Sequence, residues 1–168
     1  MTKWSTRLKT PPSEAVVNFC NEHSCEYDLS ALRRIRIFRG RKHFGAYGWM
    51  ECEAGNEDRL TCEIALHLPG PFPHVVSILR KPITRKILGL ELPDDVYTIS
   101  RNVSIASEEV RISLRSKTTL HDQDEAAVWL YGHEFFHYLT SSGQSNKPDT
   151  EYNADAYGNF LLECWRLL

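Results

Sequence analysis

No stretch of this chain is apolar for long enough to cross a bilayer. The longest such run, residues 126–130, falls far short of the roughly 20 residues that a spanning helix needs. Residues 1–10 hold lysines and an arginine but not the apolar segment of a secretory leader. Charge of one sign is also lacking: 20 Lys and Arg stand against 22 Asp and Glu, a net charge of -2, which gives no sign of a basic nucleic-acid field or an acidic tail. Cysteine is sparse and odd in number, five in all, and with no leader this argues for reduced thiols in a cytosol. Neither an internal repeat nor a low-complexity segment occurs. These absences leave a soluble, intracellular, cytoplasmic protein as the expectation, with residues 1–168 forming one domain large enough for a real core.

Histidine is scarce as well, seven in the chain and none after His137, but two are placed for chemistry. His133-Glu134-Phe135-Phe136-His137 reads H-E-x-x-H. On a helix, imidazoles at i and i+4 lie one turn apart on one face, which suits two corners of a tetrahedral zinc site. Glu134 is rotated off that pair yet close enough to act as a general base on a water whose pKa zinc lowers.

The surroundings predict that helix. Asp122 and Glu125 have the spacing of a capping box, good helix formers follow, and Gly143 after Thr140, Ser141 and Ser142 offers a stop, so a helix is expected over residues 122–141. Its apolar residues, among them Val128, Trp129, Leu130, Phe135, Phe136 and Leu139, go round the cylinder, the pattern of a buried central helix. Histidines and a glutamate buried there need partners, and a metal would satisfy them.

With no later histidine, the third ligand must be a carboxylate or a thiol. A second helical pattern opens with Glu151 and Asp155, four apart on one face. One can bind the metal while the other accepts the free N–H of a ligating histidine and fixes its tautomer. The rest of that helix, Ala154, Tyr157, Leu161, Cys164, Trp165 and Leu168, has the spacing of a core-facing stripe.

His133 to His137 followed by Glu151-Tyr152-Asn153-Ala154-Asp155 resembles the gluzincin metallopeptidases. It is most similar to those whose second motif reads E-x-x-A-D, as in the heat-shock and prenyl-protein membrane proteases, the soluble minigluzincins and the ImmA/IrrE-type peptidases. The resemblance covers residues 122–160. It implies that His133, His137 and Glu151 bind Zn2+, that Glu134 is the general base, and that Asp155 orients His133.

Outside the motif the reading is structural. A short helix is expected over residues 13–22, burying Ala15, Val16, Phe19 and Cys20, and a half-buried strand over 33–39. Arg33, Arg34, Arg36, Arg39, Arg41 and Lys42 form a basic cluster, read as a solvated strand face that blunts a sheet edge; a nucleic-acid patch stays open as the lesser reading. Residues 44–52 and 60–68 look like hairpin arms around Gly55-Asn56 that could set Cys52 opposite Cys62, where two small half-buried residues are favoured over a disulfide. Prolines divide residues 69–119 into an apolar run over 74–79, a helix over 83–88, and strands over 97–105 and 110–114. His67, His74 and His121 are expected to be ordinary histidines rather than ligands.

The expected fold class is therefore α+β: a zincin-like single domain with a small, mainly antiparallel sheet on a buried active-site helix and a C-terminal glutamate helix. The expected function is zinc endopeptidase, hydrolysing peptide bonds in a protein or peptide substrate. Residues 110–115 or the second hairpin arm would offer a strand edge to that substrate, and Tyr131, Tyr138, Tyr152 or Tyr157 would be the oxyanion donor. The alternative is a latent or non-catalytic zinc-stabilised binding domain, restrained by the Phe135-Phe136 pair or by a loop over residues 69–93.

Overall fold

Helices form where capping residues meet apolar spacing. The computed structural model describes the backbone of residues 3–40, 47–54, 60–86, 96–104 and 109–168, and the side chains of these apart from 81–86, 96–104 and 109–113. Helix α1 (Glu14–Ser24) starts at Ser13, whose hydroxyl accepts the Val16 N–H. Val16, Phe19 and Cys20 are buried as expected, whereas Ala15 is exposed and Ser24 takes the next inward position. Helix α2 (Gln123–Ser141) is capped by Asp122, which accepts the Glu125 N–H at 2.8 Å. Glu125 reaches back to the His121 N–H at 2.8 Å, one residue beyond the usual capping-box partner, the N-cap itself. Helix α3 (Glu151–Arg166) is capped by Thr150.

The strands form two small sheets. The first, from β1 (Lys3–Thr6), β2 (Leu32–Arg39), β3 (Tyr47–Ala54) and β4 (Leu60–Leu68), runs in the order β1-β2-β4-β3. The second, from β5 (His74–Lys86), β6 (Val96–Ser104) and β7 (Glu109–Leu120), runs β5-β7-β6 and is antiparallel throughout. The described residues thus form an α+β domain of three helices and two sheets. The first sheet departs from the antiparallel expectation, because β1 and β2 are joined across α1 and pair in parallel, as do β2 and β4.

Alternation decides the faces of the first sheet. Ile35 and Ile37 pair with Ile64 and Leu66, and all four are buried in the core beneath α2, which is itself buried on nearly every side. Arg34 and Arg36 take the opposite face, where Glu63 meets them at 2.7 and 3.1 Å. Because β2 lies between β1 and β4, the basic cluster does not blunt an edge; Arg41 and Lys42 lie outside the described residues.

Four further expectations are corrected. Residues 83–86 belong to β5 rather than a helix, and 87–88 lie outside the described residues; Pro82 falls where the ladder skips between Arg80 and Ile83, on an edge strand that tolerates it. Cys52 and Cys62, opposite in the β3–β4 ladder with Cα atoms 4.1 Å apart, form a disulfide, leaving Cys20, Cys25 and Cys164 as free thiols. Leu168 is exposed beyond the end of α3, and Leu162 fills the core in its place. The two strands proposed to offer an edge, β4 and β7, are each central in their sheet. Among the described residues the edge strands are β1 and β3, the latter being the first hairpin arm, in the first sheet, and β5 and β6 in the second. Among the described residues, no helix is long and apolar enough to cross a membrane.

Candidate metal centre

Close approach of two helices makes the centre. A Cβ on Gly132 would lie 2.9 Å from the Gly158 Cα, and one on Gly158 would lie 2.7 Å from the Trp129 carbonyl oxygen. Backbone therefore meets backbone one residue before His133, bringing the start of α3 under the middle of α2. The Nε2 atoms of His133 and His137 stand 3.3 Å apart. Glu151, the first residue of α3, sets Oε2 3.4 Å from His133 Nε2 and Oε1 3.7 Å from His137 Nε2. One ligand atom from each of the three lies within 4.8 Å of the others, so these residues could hold a metal ion.

Each imidazole is aimed by a carboxylate. Asp155 Oδ1 lies 3.0 Å from His133 Nδ1, while its Oδ2 accepts the Leu79 N–H at 2.6 Å, tying the edge of β5 to the centre. Asp149, in the loop before α3, lies 2.6 Å from His137 Nδ1. In both cases an N–H donated to the carboxylate leaves Nε2 with its lone pair toward the cluster. Sequence reasoning anticipated Asp155 and missed Asp149, whose only signal is an acid in a short polar loop.

Glu134 approaches from the other side. It is 4 % exposed, with Oε1 4.0 Å from His133 Nε2. Burial pushes its carboxyl up to about 7, against the pull of His133 and His137. Burial alone would lower His133, but the Asp155 hydrogen bond and the carboxylates of Glu134 and Glu151 outweigh it and hold the imidazole above its ordinary value. Gly48 of β3 makes room for Glu134: a Cβ there would stand 2.6 Å from its Cγ.

A half-open pocket of about 290 Å³ joins these groups, walled by Tyr47 and Gly48 of β3, Leu79 of β5 and Arg115 of β7. None of the four tyrosines expected as oxyanion donors lines it. Tyr131 and Tyr138 are core residues, and the Tyr138 hydroxyl donates to the Asp28 carbonyl at 2.6 Å. The pocket tyrosine is Tyr47, set there by a hairpin arm that was legible in the sequence without its side-chain directions. His67 sits in a ring stack with Phe38 and Tyr47, and it, His74 and His121 stand outside the ligand cluster. Comparison with family models, curated proteins and solved structures returns no match.

Proposed function

We propose that this protein is a zinc-dependent peptidase of the gluzincin kind. The observation that carries the reading is a buried carboxylate, Glu134, beside a His-His-Glu cluster that opens into a pocket. The donor set suits zinc, which takes histidine nitrogen and glutamate oxygen at about 2.0–2.2 Å, and one ligand atom from each of the three residues lies within 4.8 Å of the others. His133, His137 and Glu151 would hold the ion. When bound, zinc supplies a Lewis acid for the scissile carbonyl and lowers the pKa of water toward neutrality.

The chain's own residues do the rest. Glu134 takes the proton of the attacking water and returns it to the leaving amine, a role for which its place beside the ligand cluster suits it. Asp155 and Asp149 hold the two imidazoles in the ligating tautomer. Strand β3, at the edge of its sheet, can add an extended peptide as a further strand beside Glu134. Tyr47, the tyrosine that lines the pocket, is the candidate to donate to the developing oxyanion.

A zinc ion serving only to stabilise the fold would call for a closed site. The Glu151 side chain is 65 % exposed, and Phe135 and Phe136 are buried in the core rather than set across the pocket, so neither observation favours that reading. The test is Glu134→Gln. The variant is expected to keep its zinc and lose peptide hydrolysis; turnover at the wild-type rate would overturn the general-base role.

A further inference from the structure

One cation in the pocket is used neither by the ligand set nor by the base. Arg115 of β7 lines the same pocket as His133, Glu134 and Glu151. Its partner across the ladder is Leu79, whose N–H is held by Asp155, so one strand separates Arg115 from the Asp155–His133 pair. The guanidinium spends one donor on the Ser77 hydroxyl, Nη1 to Oγ at 3.2 Å. Among the described residues it meets no carboxylate at ion-pair distance, whereas Arg34, Arg36 and Arg166 each do. The three acids that share the pocket are committed elsewhere: Asp155 to His133 and Leu79, Glu151 to the ligand cluster, and Glu134 to the space beside Gly48.

A half-buried arginine with donors to spare that lines a concave site can take a carboxylate through two parallel hydrogen bonds. The pocket's three carboxylates balance a divalent ion together with Arg115, so an incoming anion meets no net repulsion once the metal is in place. We infer that Arg115 anchors a carboxylate of the substrate. An extended chain advances about 3.3–3.6 Å per residue, and His133 and Arg115 wall one and the same pocket of about 290 Å³, so a group held by Arg115 lies close along the chain to the bond at the ligand cluster. The substrate class is therefore peptides with an anionic group next to the scissile bond, either a free C-terminal carboxylate or an Asp or Glu side chain. The inference rests on the peptidase reading for its place in a reaction, but not for the carboxylate site itself.

Calorimetric titration of the zinc-loaded Glu134→Gln protein separates the sources without turnover. Three probes are used: N-acetyl-Ala-Ala-Ala as the free acid, the same peptide as its amide, and N-acetyl-Ala-Ala-Asp amide. One carboxylate-bearing probe is expected to bind about 10- to 100-fold tighter than the neutral amide, the range of a hydrogen bond to a charged group. Adding Arg115→Met should erase that preference, and Arg115→Lys should restore it in part. Preference for the free acid identifies the terminal carboxylate, and preference for the Asp amide identifies the side chain. Equal binding of all three, or a preference that survives Arg115→Met because the metal alone takes the carboxylate, overturns the anchor. Among the described residues the Arg115 side chain bonds the Ser77 hydroxyl, an exposed contact, so the β5–β7 ladder should tolerate the change. Wild-type hydrolysis is read separately. An Arg115-dependent preference without cleavage would sink the peptidase reading alone, and cleavage without discrimination would sink the anchor alone.

Discussion

Gly132 and Gly158 touch through their backbones, with the Cα of Gly158 2.9 Å from where a Cβ on Gly132 would stand. This contact sets the depth at which α3 lies against α2, and with it the distance from Glu151 and Asp155 to His133. Alanine at 158 would gain about 1 kcal/mol of helix propensity. It would also force a Cβ to 2.7 Å from the Trp129 carbonyl oxygen, and overpacking of that kind costs about 1–3 kcal/mol. Because the obstacle is backbone, the helices must part. Gly158→Ala is expected to lower the melting temperature and weaken zinc binding together, as read by thermal unfolding and competition with a chelator. A rise in melting temperature with unchanged zinc affinity would show that the crossing is loose.

Asp149 and Asp155 hold equivalent positions behind the two histidines but differ in what else they support. Each is expected to cost about 10- to 100-fold in zinc affinity when replaced by alanine. Asp155 also accepts the Leu79 N–H, and stranding a part-buried donor costs about 1–3 kcal/mol. Asp149, half-exposed, makes no such contact among the described residues. Metal-free Asp155→Ala should therefore melt lower than wild type and Asp149→Ala should not. Equal melting of the two variants would remove the tie between β5 and the centre.

Glu125 locks the start of α2 to the end of α3. Its carboxylate receives Arg166 Nε at 3.0 Å and Nη2 at 2.8 Å, as well as the His121 N–H. Burial acts to raise its pKa, but the Arg166 and His121 hydrogen bonds outweigh that and hold it below the ordinary value. A carboxyl depressed in the folded state contributes stability above its unfolded pKa, about 4.3, and loses it as pH falls through the lower folded value. The melting temperature of wild type should thus exceed that of Glu125→Gln at pH 7, with the gap closing below about pH 4. A gap constant from pH 7 to 3 would mean that the side chain acts by shape rather than charge.

Local signals carried most of what was legible. Asp122 and the all-round apolar pattern marked α2 to within a residue, and alternation marked β4 over Leu60–Leu68. What escaped were relations between distant segments. Nothing in residues 3–6 alone calls for a strand until β2 offers an edge, and nothing in residues 110–115 says that β5 and β6 flank them. The same limit applied at the centre: His133, His137 and Glu151 lie in motifs with fixed spacing, whereas Tyr47, Arg115 and Asp149 reach the site through sheet order and a loop. Gly132 and Gly158 were visible as glycines within helices but without the crossing that explains them.

Zinc per chain, measured by elemental analysis after dialysis on wild type and Glu151→Ala together, tests whether His133, His137 and Glu151 form the metal centre. One zinc per wild-type chain and a marked loss in the variant are expected. Zinc absent from wild type, or held equally by both proteins, would contradict that assignment.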